Sequence, residues 1–235
     1  MNTIKSAINS LRNNKMILIF DADNREGETD MVMSALDVKP RDVARFRKDG
    51  GGLICVAIPS DVADKLGLPY MSDILKYAKL NGLNLNSITE KIGDLRYDTK
   101  SSFSIWVNHR DTFTGITDHD RALTINKIGS CVEQKLKGNS VDFGKEFRSP
   151  GHVSILRAAP NLVLDRRGHT ELSLALAYMA NITPAMVVCE MLDDRTGKAL
   201  SKKDAKKYAI KHDITFVEGR DIIKEYKKSS IFKQI

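Results

Sequence analysis

Apolar residues along the chain change between helical and extended spacing, which predicts a mixture of helices and strands. Ile4, Ala7, Ile8 and Leu11 recur at the intervals of a helical face. A short apolar run at 16–20 then predicts a buried strand. No internal repeat or low-complexity linker interrupts the alternation, so the pattern favours one mixed α/β unit.

Capping and turn residues place further elements along the chain. Thr29 is expected to cap a helix that runs through Leu36, and Gly50-Gly51-Gly52 is expected to form a turn before a strand. Residues 80–100 show no clear periodicity and predict connecting structure. The other predicted elements are strands at 53–58, 103–107, 186–189 and 214–217, a turn at 149–151, a helix from Thr117 through about Ile128, a helix at 171–180, and a helix opened by Ser201.

The positive charge of the chain is concentrated near its C-terminus. Lys and Arg number 37 against 30 Asp and Glu, a formal net charge of +7. Residues 198–235 contain eleven basic and five acidic residues, a net of +6, so the preceding part nets only +1. This excess of basic residues is typical of nucleic-acid-binding modules, so such a module is an alternative interpretation. We expect no nucleic-acid partner, because the segment contains no recognisable binding motif and its lysines have the spacing of exposed helical faces.

The cysteines and the apolar runs indicate in which cellular compartment the protein is expected. Cys55, Cys131 and Cys189 are far apart and form no C-x-x-C pair, so neither a disulfide framework nor a thiolate metal site is indicated. No apolar stretch approaches the length of a membrane span or resembles a signal peptide. We therefore expect a cytoplasmic protein without a membrane partner.

An acidic decapeptide directly follows the first predicted strand, and Arg25 is its only cation. Its carboxylates are those of Asp21, Asp23, Glu26, Glu28 and Asp30. An EF-hand is excluded because Gly27 falls one place late and Val32 stands where a Glu is required. Two interpretations stay open: a solvated acidic loop, or a site where carboxylates hold a hard divalent ion such as Mg²⁺ or Mn²⁺.

Residues 166–170, Arg-Arg-Gly-His-Thr, precede a predicted helix and combine two cations, a glycine and a hydroxyl. That combination suits a phosphate at a helix N-terminus, and the alternative is an ordinary helix start with two exposed arginines. His152 and His169 stand at turns, and Glu190 ends an apolar strand, where a carboxylate is suited to acid–base chemistry. For each of the three, a structural role is the alternative.

Six segments together resemble one family. No G-x-S-x-G, Walker-type or G-x-G-x-x-G motif supports a hydrolase, P-loop or dinucleotide site. The segments are FDADNREGETDMVMSA (20–35), LICVAI (53–58), TFTGITDHDRALTI (112–125), FRSPGHVSILRA (147–158), RRGHTELSLALA (166–177) and PAMVVCE (184–190). In content and order they resemble 3,4-dihydroxy-2-butanone 4-phosphate synthases of riboflavin biosynthesis.

The resemblance implies an α/β (α+β) fold: a single domain over residues 1–235 with a mixed sheet between helices and a basic C-terminal segment from about 198. It also implies a homodimer with active sites near the subunit interface. The implied activity is that of a carbon–carbon lyase that converts D-ribulose 5-phosphate into L-3,4-dihydroxy-2-butanone 4-phosphate and formate. One or two Mg²⁺ or Mn²⁺ ions per site and no organic cofactor are implied. Another metal-dependent sugar-phosphate lyase or isomerase on the same scaffold stays an alternative.

The resemblance also implies roles for individual residues. The metal ligands would be Glu26 and His169, and the catalytic residues His152 and Glu190. The substrate contacts would be Arg25, Glu26, Asp30, Arg166, Arg167, Gly168, His169, Thr170 and Glu190. Asp21, Glu28 and Thr112 are expected as further polar lining. Arg167 departs from the family, which commonly has a small residue there, so its contribution is either a phosphate contact or a solvent-exposed charge.

Overall fold

A seven-stranded sheet forms the centre of the computed structural model, which describes residues 3–80 and 82–229. The strands of these residues are β1 (Ile17–Phe20), β2 (Thr29–Ser34), β3 (Cys55–Ile58), β4 (Lys79–Leu80), β5 (Leu83–Asn84), β6 (Phe103–His109), β7 (Phe147–Arg157), β8 (Met186–Glu190), β9 (Leu192–Asp193), β10 (Lys198–Ala199) and β11 (Thr215–Glu218). The large sheet has the order β11-β1-β2-β8-β3-β7-β6, and β4/β5 and β9/β10 form small separate pairs. The β1/β11 and β3/β7 pairs are parallel and the others antiparallel, so the sheet is mixed.

Helices cover both faces of this sheet. The α-helices of the described residues are α1 (Thr3–Arg12), α2 (Pro40–Arg45), α3 (Ser60–Leu66), α4 (Met71–Tyr77), α5 (Asp118–Leu136), α6 (Phe143–Glu146), α7 (His169–Ala180), α8 (Lys202–Lys211) and α9 (Gly219–Lys228). One hydrophobic core joins the sheet to α2, α3, α5 and α8, and a second core joins it to α1, α7 and α9. The mixed α/β fold with a sheet between helices is therefore confirmed.

Side chains of the central strands alternate between the two cores. On β2, Met31 and Met33 belong to the core under α5, whereas Val32 belongs to the core under α7. On β8, Val187 and Val188 divide in the same way. Because both faces are covered, these strands are continuous apolar runs rather than alternating apolar and polar ones.

The prediction of a helix capped by Thr29 is wrong. Residues 29–34 form β2, paired with β1 on one side and β8 on the other, and all six are buried. Successive residues must enter opposite cores, which only a two-residue period allows. The helical signal survives as one 3₁₀ turn at Ala35–Asp37, with Ser34 rather than Thr29 as its cap.

Other predicted elements are found with altered limits. Thr117 caps α5, accepting a hydrogen bond from the Asp120 amide at 3.1 Å, but the helix continues to Leu136. The predicted turn at 149–151 is an excursion within β7: the pairing with β6 jumps from Val107–Val153 to Asn108–Arg148. The connecting structure predicted at 80–100 is interrupted by the short β4/β5 pair and a 3₁₀ turn at Leu85–Ser87, and residues 88–102 then contain neither helix nor strand.

The basic C-terminal segment is built into the fold. Its strand β11 pairs with β1, and α9 packs on α7. Lys202 and Lys206 both form ion pairs with Glu218, at 3.1 and 3.0 Å. Gly219 lies so close to the loop after β1 that a Cβ there would be 2.6 Å from the Asp21 carbonyl oxygen. Residues 230–235 of this segment, like residues 1–2 and 81, lie outside the described residues.

Within residues 3–80 and 82–229, none of the helices combines the length and apolar character that a membrane span requires.

The second core contains one unpaired hydroxyl whose removal should stabilise the protein. Tyr226 is fully buried, and its Oη has no hydrogen-bond partner among the described residues. An unpaired buried polar group is destabilising, so we expect Tyr226→Phe to raise the free energy of unfolding by about 1 kcal/mol. Urea unfolding followed by circular dichroism measures the change.

Tyr208→Phe is the matched control. The Tyr208 hydroxyl donates to Asp49 Oδ2 at 2.5 Å and accepts from Arg45 Nε at 3.1 Å. Losing these bonds should lower the free energy of unfolding by about 1 kcal/mol. Equal destabilisation by both substitutions would show that the Tyr226 hydroxyl is paired in solution.

Candidate active site

The register of the two central antiparallel strands brings two distant carboxylates together. Asp30 near the start of β2 is the direct partner of Glu190 at the end of β8. Side chains of such partners project from the same face of a sheet, and here that face is the one covered by α7. Because α7 begins at His169 beside them, the acidic loop, the end of β8 and the 166–170 turn meet in one cleft of about 430 Å³.

Asp21 organises the acidic loop from inside. Its carboxylate is buried; Oδ1 accepts the Glu28 amide and Oδ2 the Glu26 amide, each at 3.0 Å. Arg25 Nη1 also contacts Oδ2, at 3.2 Å. With the backbone folded around Asp21, the side chains of Glu26 and Glu28 reach the cleft.

His169 lies between two carboxylates. Its Nδ1 is 3.4 Å from Glu26 Oε2 and 3.5 Å from Asp30 Oδ1. Burial lowers the pKa of the imidazole, but the charge of Asp30 and the hydrogen bond to Glu26 outweigh it and raise the pKa to about 9. Burial raises the pKa of Glu26, and the contacts with His169 and Arg25 outweigh it and lower the pKa to about 2.

The remaining loop carboxylates lie where the negative form is disfavoured. Burial, with a smaller contribution from Glu190, raises the pKa of Asp30 well above its usual range despite the nearby His169. Burial and the charge of Glu26 also raise the pKa of Glu28. The cleft thus concentrates more negative charge than its own cations neutralise.

The donor set fits a divalent cation. Ligand atoms of Asp21, Glu26 and His169 all lie within 4.8 Å of one another. His169 Nε2 and Asp30 Oδ1 are buried and have no hydrogen-bond partner among the described residues. Carboxylate oxygens and an imidazole nitrogen suit Mg²⁺ or Mn²⁺. Since Asp21 already accepts the two amides, Glu26 and His169 are the better placed ligands.

A pair of arginines lies beside the carboxylate cluster, and one of them, Arg25, is 3.0 Å from Glu26 Oε1. Arg166 Nη1 is 2.8 Å from Glu171 Oε2, and its Nε is 2.5 Å from Asp98 Oδ2. Arg25 Nη2 contacts the same Asp98 oxygen at 2.8 Å. Gly168 allows this packing, because a Cβ there would overlap the Arg166 guanidinium and lie 2.8 Å from Arg25 Nη2.

Glu190 is fixed by the glycine-rich turn before β3. Its Oε2 accepts the Leu53 amide at 2.8 Å. Gly52 packs directly against the carboxylate, and a Cβ at this position would overlap it. Gly50 ends a π-helix at Phe46–Gly50 and Gly51 caps it with a φ of 89°, so the turn predicted at 50–52 is observed at Gly51–Gly52, and it also holds the Glu190 side chain.

Residues 5–225 match the model of the 3,4-dihydroxy-2-butanone 4-phosphate synthase family. The chain belongs to this family. The synthase of Methanosarcina mazei is 56% identical over 223 residues, 95% of this chain and 90% of that protein. That of Archaeoglobus fulgidus is 52% identical over 224 residues, 95% and 94% of the two chains. A riboflavin biosynthesis protein of Aquifex aeolicus is 33% identical over 95% of this chain and 48% of its own length. The family's role is in riboflavin biosynthesis.

Solved structures of synthases share the fold. A Candida albicans synthase has a TM-score of 0.73 at 27% identity, over 94% of this chain and 96% of that one. A synthase in complex with two magnesium ions has a TM-score of 0.78 at 24% identity, over 97% and 98% of the two chains.

The cleft contains most of the site residues that the family resemblance implies. Those lining it are Arg25, Glu26, Glu28, Asp30, Arg166, His169, Thr170 and Glu190. Asp21 and Gly168 contact these side chains from behind. Their positions agree with the expectation, while the role of each residue stays a prediction.

Three expected residues do not line the cleft in this chain. His152 is exposed on β7, with Nδ1 3.1 Å from Asn108 Nδ2, and β3 separates its strand from β8. Thr112 is buried elsewhere and donates to the His109 carbonyl at 2.7 Å. Arg167 is exposed and lines a neighbouring depression. The first two belong to the β6/β7 side of the sheet, where Phe103 and Leu156, but neither His152 nor Thr112, line the cleft.

Two residues at the site were not predicted from the sequence. Asp98 gave no signal, because it lies in a segment without periodicity. Glu171, in the first turn of α7, is fully buried and accepts the Ala159 amide at 3.0 Å as well as Arg166. In the sequence, Glu171 follows Gly168 by three residues and His169 by two, so it resembled an ordinary acidic residue in the first turn of a helix.

We expect Gly52→Ala to displace Glu190 and to lower the free energy of unfolding by about 1–3 kcal/mol, because the added methyl overlaps a carboxylate held by the backbone. Urea unfolding measures the stability, and a crystal structure of the variant locates the side chain. Gly144→Ala is the control, since its Cβ would meet nothing closer than 3.5 Å. A Gly52→Ala protein as stable as the parent, with Glu190 unmoved, would contradict this contact.

Proposed function

We propose that this family member converts D-ribulose 5-phosphate into L-3,4-dihydroxy-2-butanone 4-phosphate and formate, acting as a divalent-metal-dependent carbon–carbon lyase. The observation that carries the proposal is the arrangement of the cleft. A carboxylate–histidine cluster at Glu26 and His169 adjoins an arginine pair at Arg25 and Arg166 within one cavity, with Arg25 Nη1 3.0 Å from Glu26 Oε1. A phosphorylated sugar needs a metal-binding end and a phosphate-binding end of this kind.

Arg25 and Arg166 are the proposed phosphate ligands. Guanidinium groups bind phosphate oxygens through paired N–H donors. The start of α7, at His169 and Thr170, adds backbone amides and the positive end of the helix dipole. Phosphate held here would leave the sugar carbons directed toward Glu26 and Glu190.

Glu26 and His169 are the proposed ligands of Mg²⁺, or Mn²⁺, with one or two ions per site and no organic cofactor. A bound divalent ion supplies polarisation of the sugar oxygens, which makes the adjacent carbon–hydrogen bond more acidic. Asp21 keeps Glu26 in place through the loop amide. Asp30, whose Oδ1 has no hydrogen-bond partner among the described residues, offers a further oxygen to the same space.

Glu190 is the proposed proton-transfer group inside the cleft. The Leu53 amide holds one of its oxygens, which fixes the orientation of the carboxylate and leaves the other oxygen for the substrate. Proton removal beside a ketone, dehydration and loss of formate need an acid and a base. His152 is the proposed second group, and Glu28 contributes to the polar lining.

We propose a homodimer in which His152 acts in the site of the second copy, with the loop that follows Thr112 at the interface. His152 is exposed and lies outside the cleft of its own chain. The loop after Thr112 presents Phe113 and Ile116 with 92% and 50% of their surface exposed, which supports a protein contact there. The cysteines are free and buried, which suits a reducing compartment, and we place the enzyme in the cytoplasm.

Incubation with ribulose 5-phosphate and Mg²⁺ should release formate and the four-carbon phosphate in equal amounts, measured by NMR. Glu26→Gln and His169→Ala should abolish turnover because each removes a metal ligand. Asp23→Asn, on the same loop but with its side chain 84% exposed, should leave turnover unchanged. Folded, magnesium-loaded protein that releases no formate, or an active Glu26→Gln variant, would refute the proposal.

Subunit mixing tests the shared site. His152→Ala and Glu26→Gln should each be inactive, whereas a refolded equimolar mixture should regain about a quarter of the parental activity, since half of the dimers are hybrid and each hybrid has one intact site. A mixture that stays inactive while hybrids form would place His152 and Glu26 in the site of the same chain.

A further inference from the structure

A strap of irregular backbone crosses the cleft. We define it as residues 88–102, which contain turns and bends only. Glu90, Leu95 and Tyr97 of the strap line the cavity. Most of its residues are exposed, Ile92 with 93% of its surface. At its C-terminal end the strap is held outside the site, where the Ser102 carbonyl accepts the Arg157 amide at 2.8 Å and Lys100 Nζ lies 3.4 Å from the Tyr70 ring centroid.

Within the site, the strongest contact of the strap is made by Asp98. Its Oδ2 lies 2.8 Å from Arg25 Nη2 and 2.5 Å from Arg166 Nε, and only 9% of the side chain is exposed. The neighbouring Tyr97 ring lies over the Arg25 guanidinium, with its centroid 5.4 Å away. One carboxylate oxygen thus lies within ion-pair distance of both proposed phosphate ligands: it accepts a hydrogen bond from Arg25, whereas Arg166 Nε, although close, has no hydrogen-bond partner among the described residues.

The arginine pair is already more than neutralised. Arg25 contacts Asp21, Glu26 and Asp98, and Arg166 contacts Asp98 and Glu171. Four carboxylates therefore surround two guanidinium groups. A phosphate monoester brings a charge of about −1.5 to −2. Its binding is unfavourable unless one of the carboxylates withdraws.

Asp98 is the one carboxylate of the four that can withdraw. Asp21 is tied to the Glu26 and Glu28 amides. Glu171 lies in α7 and accepts the Ala159 amide. By contrast, the further hydrogen bond of Asp98 comes from its own neighbour, the Thr99 amide, and moves with the strap.

Glu26 is the fourth member of the set. It is held at the metal end of the cleft by His169. Its withdrawal would remove a proposed metal ligand, whereas the withdrawal of Asp98 removes only the link between the strap and the arginine pair.

We propose that Asp98 sets the phosphate affinity of the site: its carboxylate occupies the anion position between Arg25 and Arg166, and the phosphate of the substrate displaces it and releases the strap. This inference rests on the proposed function, in which the arginine pair binds phosphate. It makes Asp98 a specificity-determining residue, because only an anion that outcompetes an internal carboxylate gains the arginine pair.

Asp98→Asn tests the competition directly, with inorganic phosphate as the probe and isothermal titration calorimetry of the full chain in magnesium buffer as the measurement. The variant keeps the side-chain volume but loses the charge, so we expect phosphate to bind about tenfold more tightly than to the parent. Asp94→Asn is the matched control: Asp94 lies on the same strap, and its carboxylate accepts a hydrogen bond from the Lys91 amide rather than from an arginine. It should leave the affinity unchanged.

Unchanged or weaker phosphate binding by Asp98→Asn would overturn the inference and make Asp98 a residue that positions the arginines. If the variant does not fold, a second measurement on the parent protein still tests the inference. Trypsin should cleave at Lys91 and Arg96 several-fold faster in saturating phosphate than in chloride of equal ionic strength, because displacement frees the strap. Protection of these bonds by phosphate would overturn the inference as well.

These experiments are independent of turnover. Tighter phosphate binding by Asp98→Asn together with no formate release from the parent would refute the proposed reaction and leave the competition intact. Formate release by the parent, with no effect of Asp98→Asn on phosphate binding, would support the proposed reaction and refute the competition between Asp98 and phosphate.

Discussion

Crowded carboxylates at one end of the sheet are the constraint on which the site depends. The pairing of β2 with β8 is fixed by two hydrophobic cores, and it leaves Asp30 and Glu190 side by side where both strands meet the acidic loop. A one-residue shift would move every apolar side chain of β2 to the wrong core. The fold therefore stabilises an arrangement that electrostatics alone disfavours, and the arginine pair and His169 offset only part of its charge.

The neutralising groups come from elements that are distant in sequence. Arg25 belongs to the acidic loop, Arg166 and His169 to the turn before α7, and Asp98 joins the two arginines from the strap. Glu171 is buried under this network and anchors Arg166 to α7. Each charge has at least one partner on another element, so the site is a network rather than a set of independent pairs.

Much of the fold and of the cleft could be predicted from the sequence, and the exceptions have physical causes. Apolar runs such as 53–58 are buried on both faces, so composition alone marked them as strands. Thr29 misled because a capping residue and a buried strand residue look alike until the tertiary partners of the segment are known. The acidic loop and the 166–170 turn stood out because charge of one sign is concentrated there.

Asp98 could not be found in the same way. Its position depends on how an aperiodic segment returns over the sheet, which no local pattern encodes. His152 illustrates the opposite case, since its motif was recognisable but its location outside the cleft depends on the excursion of β7 from its pairing with β6, which is a tertiary feature.

The contact of Gly219 with the Asp21 carbonyl has a consequence for how the protein is made. Asp21 shapes the acidic loop, yet the strand beside β1 and the glycine that packs on the loop come from β11 and the start of α9. The acidic loop near the N-terminus of the sequence therefore depends on residues almost two hundred positions later, and it acquires its final packing only once the chain through Gly219 has been made.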